Sequence, residues 1–164
     1  MFYIASTRFN TTTFTENIDY RKQEFSKGAI YGVTIKIHKK YPLNSILFVV
    51  EMNNDKNSIC GIGLIRNYIV TDKKHRIYSE DNYNRFIYKG DYWISKESIQ
   101  KYDNKLIEIL ENMLFKGKSH LKRQSGISVI TSKLFLKWNY NESLIKDSIK
   151  DIFLKEFAHN NIEK

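Results

Sequence analysis

Residues 46–52, ILFVVEM, leave the chain little conformational choice. An apolar run rich in β-branched residues, without polar alternation, reads as a strand buried on both faces. The polar stretch Asn53-Asn54-Asp55-Lys56-Asn57 follows, where Asn and Asp tolerate left-handed backbone, so a hairpin loop is expected. The returning strand, SICGIGLIRN, places Gly61 and Gly63 two apart and therefore on one face. Glycines there remove side chains where a barrel bends, or where another backbone or a ligand comes close.

Around this hairpin the pattern stays β. FYIA (2–5), AIYGVTIKI (29–37), YIVT (68–71), RFIY (85–88), DYWIS (91–95) and ISVI (127–130) read as short strands. Between them HRIYSEDNYN reads as a loop too polar for the core. Helices are expected at three places. Thr13 and Glu16 have capping-box spacing, and the polar run to Gln23 suits an exposed helix ended by Lys27-Gly28. Tyr102, Leu106, Ile109, Leu110 and Met113 keep helical spacing within Ser98–Phe115, with Gly117 as the stop. From Asn141 to about Ala158, Ile145, Ile149, Ile152, Phe153 and Phe157 form one apolar stripe, read as core packing. The sum is a single α+β domain over residues 1–164: a small mixed or closed β-barrel of five to seven strands with helices outside.

Composition narrows the function classes. The 164 residues are 41% hydrophobic and 14% aromatic, which excludes a mainly disordered chain. One cysteine, Cys60, excludes a disulfide scaffold and any zinc site built on paired cysteines. No apolar run approaches the roughly 18 residues of a membrane span. MFYIASTRFN lacks the features of a signal peptide, so an intracellular protein is expected.

The net charge is +9, from 27 basic and 18 acidic residues. Lys, Ile and Asn, at 21, 22 and 15 copies, share AT-rich codons, so the position of the charge is more informative than its total. Between Glu111 and Glu142 there is no acidic residue, while Lys116, Lys118, Lys122, Arg123, Lys133 and Lys137 contribute six positive charges. FKGKSHLKRQSGI sets this basicity beside glycines, as a phosphate-contacting loop would. A solvated lysine-rich loop is the alternative.

The order of these pieces resembles the PUA-like superfamily, in particular its EVE and YTH domains. The resemblance rests on a helix, the step Lys27-Gly28 with Tyr31 after it, ILFVVEM with CGIGLIRN, DYWISKESI, a helix, a basic loop and a final strand, over roughly residues 2–131. It implies a small β-barrel that binds RNA or DNA. Carried over by position, Tyr31 and Trp93 stand near the two aromatics that hold a base. Tyr31 replaces a Trp and lies one residue late, and no third cage aromatic is evident, which argues for base binding in general rather than for a methyladenine cage.

From the residues alone, a base-binding site needs aromatic faces and cations. Tyr92 and Trp93 lie on opposite faces of one strand, so one of them is core, and Trp93 is either a stacking platform or a barrel-filling residue. His120, amid Lys118, Lys122 and Arg123, is expected to be neutral and could contact a phosphate or a base. As a general base it lacks a nearby acid in sequence, and a plain surface role is open to it as well. His38, His75 and His159 show no metal-ligand spacing, and no dinucleotide, phosphate-loop or nucleophile motif is present, so neither metal nor cofactor is expected.

The leading expectation is therefore a nucleic-acid-binding module for RNA or single strands, with Lys116, Lys118, Lys122 and Arg123 on phosphates and Tyr31, Trp93 and His120 around a base. A PUA-like enzyme acting on RNA or a modified nucleoside is the second. A viral or parasite factor that docks on an acidic protein is the third.

Overall fold

The structure, a computed structural model, describes residues 1–24 and 26–158; His159 lies outside them. The protein is α+β. Strands β1 (Phe2–Phe9), β3 (Ile46–Asn53), β4 (Ser58–Arg66), β6 (Tyr92–Ser95) and β7 (Ser128–Val129) form one mixed sheet, ordered β6-β4-β3-β1-β7. The β1–β3 pair is parallel and the others are antiparallel. Strands β2 (Ala29–Val33) and β5 (Phe86–Gly90) form a separate antiparallel ribbon.

Burial follows strand alternation in two layers. Ile4, Phe48, Val50, Met52, Ile62 and Ile94 meet the helices α2 (Lys96–Tyr102), α3 (Asn104–Phe115), α4 (Ser132–Lys137) and α5 (Glu142–Ala158). Ala5, Leu47, Val49 and Ile65 face the other way, onto the β2–β5 ribbon and α1 (Thr11–Gln23). Strand β3 is thus covered on both sides, as its unbroken apolarity requires. The α5 stripe of Ile145, Ile149, Ile152 and Phe153 is core, against the same sheet.

Several local expectations are corrected. Helix α1 is capped by Asn10, whose side chain accepts from Thr13 N at 2.8 Å while Thr13 Oγ1 accepts from Asn10 N, so Thr13 occupies the third helical position. Nor is α1 an exposed helix, because Asn17 and Arg21 are buried beneath it. The helix expected over Ser98–Phe115 is two helices; Asp103 leaves helical backbone, at φ −158°, and its carboxylate caps α3 at Leu106 N. YIVT supplies only a bridge from Ile69 to Tyr88, and β2 ends at Val33. Sequence reading passed over α4.

HRIYSEDNYN is not an external loop. His75, Ile77, Tyr78 and Asn84 are buried in it. Its polarity is internal: Asn84 Oδ1 accepts from Ile77 N and Tyr78 N, and its amide donates to Tyr78 O at 2.8 Å. A polar residue that satisfies its own loop can be buried as readily as an apolar one. Among the described residues no helix is long and apolar enough to cross a membrane.

Gly61 and Gly63 explain how the ribbon docks. A Cβ on Gly63 would collide with Tyr31 Oη and Ala29 Cβ, and one on Gly61 would lie 2.8 Å from the Trp93 ring. The two positions admit the Tyr31 and Trp93 rings to the sheet face. A Gly63→Ala substitution should therefore overpack this contact and lower unfolding free energy by about 1–3 kcal/mol in urea titrations. An unchanged midpoint would mean that the ribbon shifts freely on the sheet.

Candidate nucleic-acid interface

The two aromatics nominated from sequence do come together, on a carboxylate. Glu51, fully buried on β3, accepts from Tyr31 Oη at 2.7 Å and from Trp93 Nε1 at 3.0 Å. Arg21, reaching in from α1, brings its Nη2 to 3.9 Å from the same carboxylate and lays its guanidinium 4.5 Å from the Trp93 ring centroid. Its Nη1 donates to Gly28 O at 3.3 Å, while Nε and Nη2 have no hydrogen-bond partner. Burial raises the Glu51 carboxyl above its ordinary value, opposed by Arg21 and by the two donors. Burial, and the adjacent carboxylate, hold the Tyr31 phenol well above its own, so Tyr31 remains a donor. Sequence reading missed both Glu51 and Arg21. The signal available was a single Glu inside an otherwise apolar strand.

Tyr31, only 1% exposed, borders a cleft of about 310 Å³ together with Phe9 and Tyr78. Asn10, Thr13, Thr34, Asn54 and Ser125 supply polar walls, with Arg8 and Tyr83 also lining the cleft. Tyr83 is 46% exposed. An aromatic floor with a few convergent polar groups, at the small end of ligand-pocket volumes, suits a compact planar group. Trp93 does not line this cleft. It is half-buried, with its N–H engaged by Glu51 and one ring face covered by Arg21.

The basic segment is tied to the cleft through its backbone. Lys122 O accepts from Arg8 Nη1 at 3.1 Å and from Asn54 Nδ2 at 2.8 Å, and Thr7 Oγ1 donates to Gly126 O at 3.1 Å. Lys116, Lys118 and Arg123 are exposed and Lys122 is half-buried. Among the described residues none of these four, nor Arg8, lies within ion-pair distance of a carboxylate. His120 is half-buried; its Nδ1 accepts from Lys122 N at 3.3 Å, which orients the ring within the loop. No carboxylate hydrogen-bonds to it among the described residues, and no group of three His, Cys, Asp or Glu there could hold a metal ion. Burial pushes the Cys60 thiol up to about 12, which makes it a poor nucleophile.

Comparison of the chain with protein-family models, with curated proteins and with solved structures finds no match.

Two outcomes follow from this geometry. Between the ordinary carboxyl value near 4.5 and the raised folded value, the folded chain holds the Glu51 proton more tightly than the unfolded chain does. The contribution of Glu51 to stability is then largest below that interval and falls as pH rises through it. The difference in unfolding free energy between wild type and Glu51→Gln should decline over the same pH range and level off above it; a flat or rising difference would contradict the raised carboxyl. Separately, removing both donors to Lys122 O in an Arg8→Ala/Asn54→Ala protein should speed amide exchange across residues 120–126 by about tenfold or more, since each such bond contributes about 1 kcal/mol. Exchange at the wild-type rate would show that the loop is held by other means.

Proposed function

We propose that this protein is a nucleic-acid-binding module of the PUA-like type, taking a base of an RNA or other single strand into the cleft while the basic loop engages phosphates. The observation that carries the reading is the double hydrogen bond to Lys122 O. Arg8 and Asn54 both line the cleft, so the acid-free segment between Glu111 and Glu142 is docked beside an aromatic floor. Aromatic contact to a base contributes on the order of 1–3 kcal/mol, and neighbouring unpaired cations supply the salt-sensitive remainder.

In this reading Lys118, Lys122 and Arg123 meet phosphates, joined by Arg8, which sequence reading did not nominate. Lys116, at the end of α3, extends the same positive surface. Tyr83 offers an exposed face, and Tyr31 is buried behind the cleft wall. Trp93 acts behind the site by holding Glu51, which holds Tyr31. His120 orders the loop and presents Nε2 as a further contact.

The PUA-like assignment is supported by element order and by close docking of the ribbon on the sheet. A Cβ on Gly90 of β5 would collide with the Leu64 carbonyl of β4, so the two sheets meet backbone to backbone there. That is the arrangement a small, partly open barrel would need.

Fluorescently labelled single-stranded RNA and duplex DNA, titrated at two salt concentrations, test the function. The single strand should bind more tightly. A Lys118→Ala/Lys122→Ala/Arg123→Ala protein should lose at least about tenfold in affinity, with the slope of log K against log salt reduced by about 2, at 0.7 per phosphate contact. The RNA should be recovered intact. Absence of binding at low salt would overturn the proposal.

A further inference from the structure

The positive surface does not end at the cleft. Gly126, which closes the basic segment, lies against Ile35: a Cβ on Gly126 would sit 2.9 Å from Ile35 Cγ2. Two segments some ninety residues apart in sequence are therefore side by side, and the second carries Lys36, Lys39 and Lys40. Thr34 lines the cleft and also a shallow hollow formed with Lys36, His38, Lys39, Arg85 and Phe86. The cleft and this hollow are thus contiguous.

Within the hollow two cations share one ring. Lys36 Nζ lies 5.3 Å and Arg85 Cζ 5.6 Å from the Phe86 ring centroid. Both are exposed, and neither has a carboxylate within ion-pair distance among the described residues. Two unpaired cations at one ring make a local positive site that an anion would neutralise. Beyond Arg85 the character changes. The neighbouring hollow contains Lys73 and Lys74, but Lys73 pairs with Glu24 at 2.8 Å and Lys74 with Asp81 at 3.8 Å. Lys36 and Arg85 differ from these two lysines in having no such pair among the described residues.

We infer that the ligand is an extended single strand which runs from the basic loop, across the cleft, to a second phosphate contact made by Lys36 and Arg85 at Phe86. This rests on the proposed function and adds to it a path and a minimum length. On this path a mononucleotide fills the cleft, and a longer strand adds the contact with Lys36 and Arg85. A stiff duplex cannot place a base on the cleft floor without unpairing it.

The test uses the full chain and oligouridylates from about 2 to about 12 nucleotides, bracketing the lengths single-strand modules occupy. Wild-type affinity should climb with length and then level off. Lys36→Ala/Arg85→Ala, two exposed substitutions expected to leave the unfolding midpoint unchanged, should weaken the longest strand by at least about tenfold. Its salt slope should fall by about 0.7, the share of one phosphate contact, while the shortest strands bind as before. Wild-type binding with a variant that keeps the same length dependence and slope would overturn the path and leave the proposed function standing. Binding of no strand of any length would overturn both.

Discussion

A buried carboxylate sits where the sheet, the ribbon and the first helix converge. Glu51 joins Tyr31 of β2, Trp93 of β6 and Arg21 of α1, so three elements that share one apolar layer are also registered on one charge. Taking a carboxylate and a guanidinium out of water costs several kcal/mol each, and their attraction offsets this only with good additional hydrogen bonds. Tyr31 and Trp93 supply those bonds. What such a network contributes is position rather than a large net stabilisation: were the Tyr31 ring to rotate away, Glu51 would keep the Trp93 N–H alone as its hydrogen-bond donor.

This arrangement explains why the glycines of β4 stand where they do. The register shift between Glu51 and Met52 sets Gly61 directly across from the carboxylate, and Gly63 pairs with Trp93. Without side chains at 61 and 63, two rings can stand over Glu51 on a sheet face that is otherwise filled by Leu47, Val49 and Ile65. A ring in place of a missing Cβ is a packing solution, and the same residue also borders the cleft. Core and candidate site are one set of contacts here.

The α+β class, the buried strand 46–52, the hairpin and the α5 stripe were all legible, because each follows from local periodicity. The acid-free stretch was legible as composition, and its exposed cations stand as expected. What sequence could not supply was contact across the chain. Tyr31 and Trp93 could be paired as aromatics, but nothing local indicates that both donate to Glu51 or that only Tyr31 reaches the cleft. Arg8, Asn54, Lys36 and Arg85 sit in segments without any motif, and they gain significance only through Lys122 O, Gly126 and Phe86. Asn84 misled for a physical reason: a side chain that satisfies its own loop looks, in sequence, like one that prefers water.

Strand β7 is two residues long and pairs only with the first strand, Ala5 to Val129 and Ser6 to Ser128. The basic loop is consequently moored to β1 by residues that come much later in the sequence. During synthesis, β1, β3 and β4 can assemble while residues 122–129 are still unmade, and Arg8 must wait for its acceptor. The seat of the loop would then form after the strands it rests on, rather than together with them. In the folded protein this two-residue pairing and the bonds from Thr7, Arg8 and Asn54 together seat the loop on the sheet.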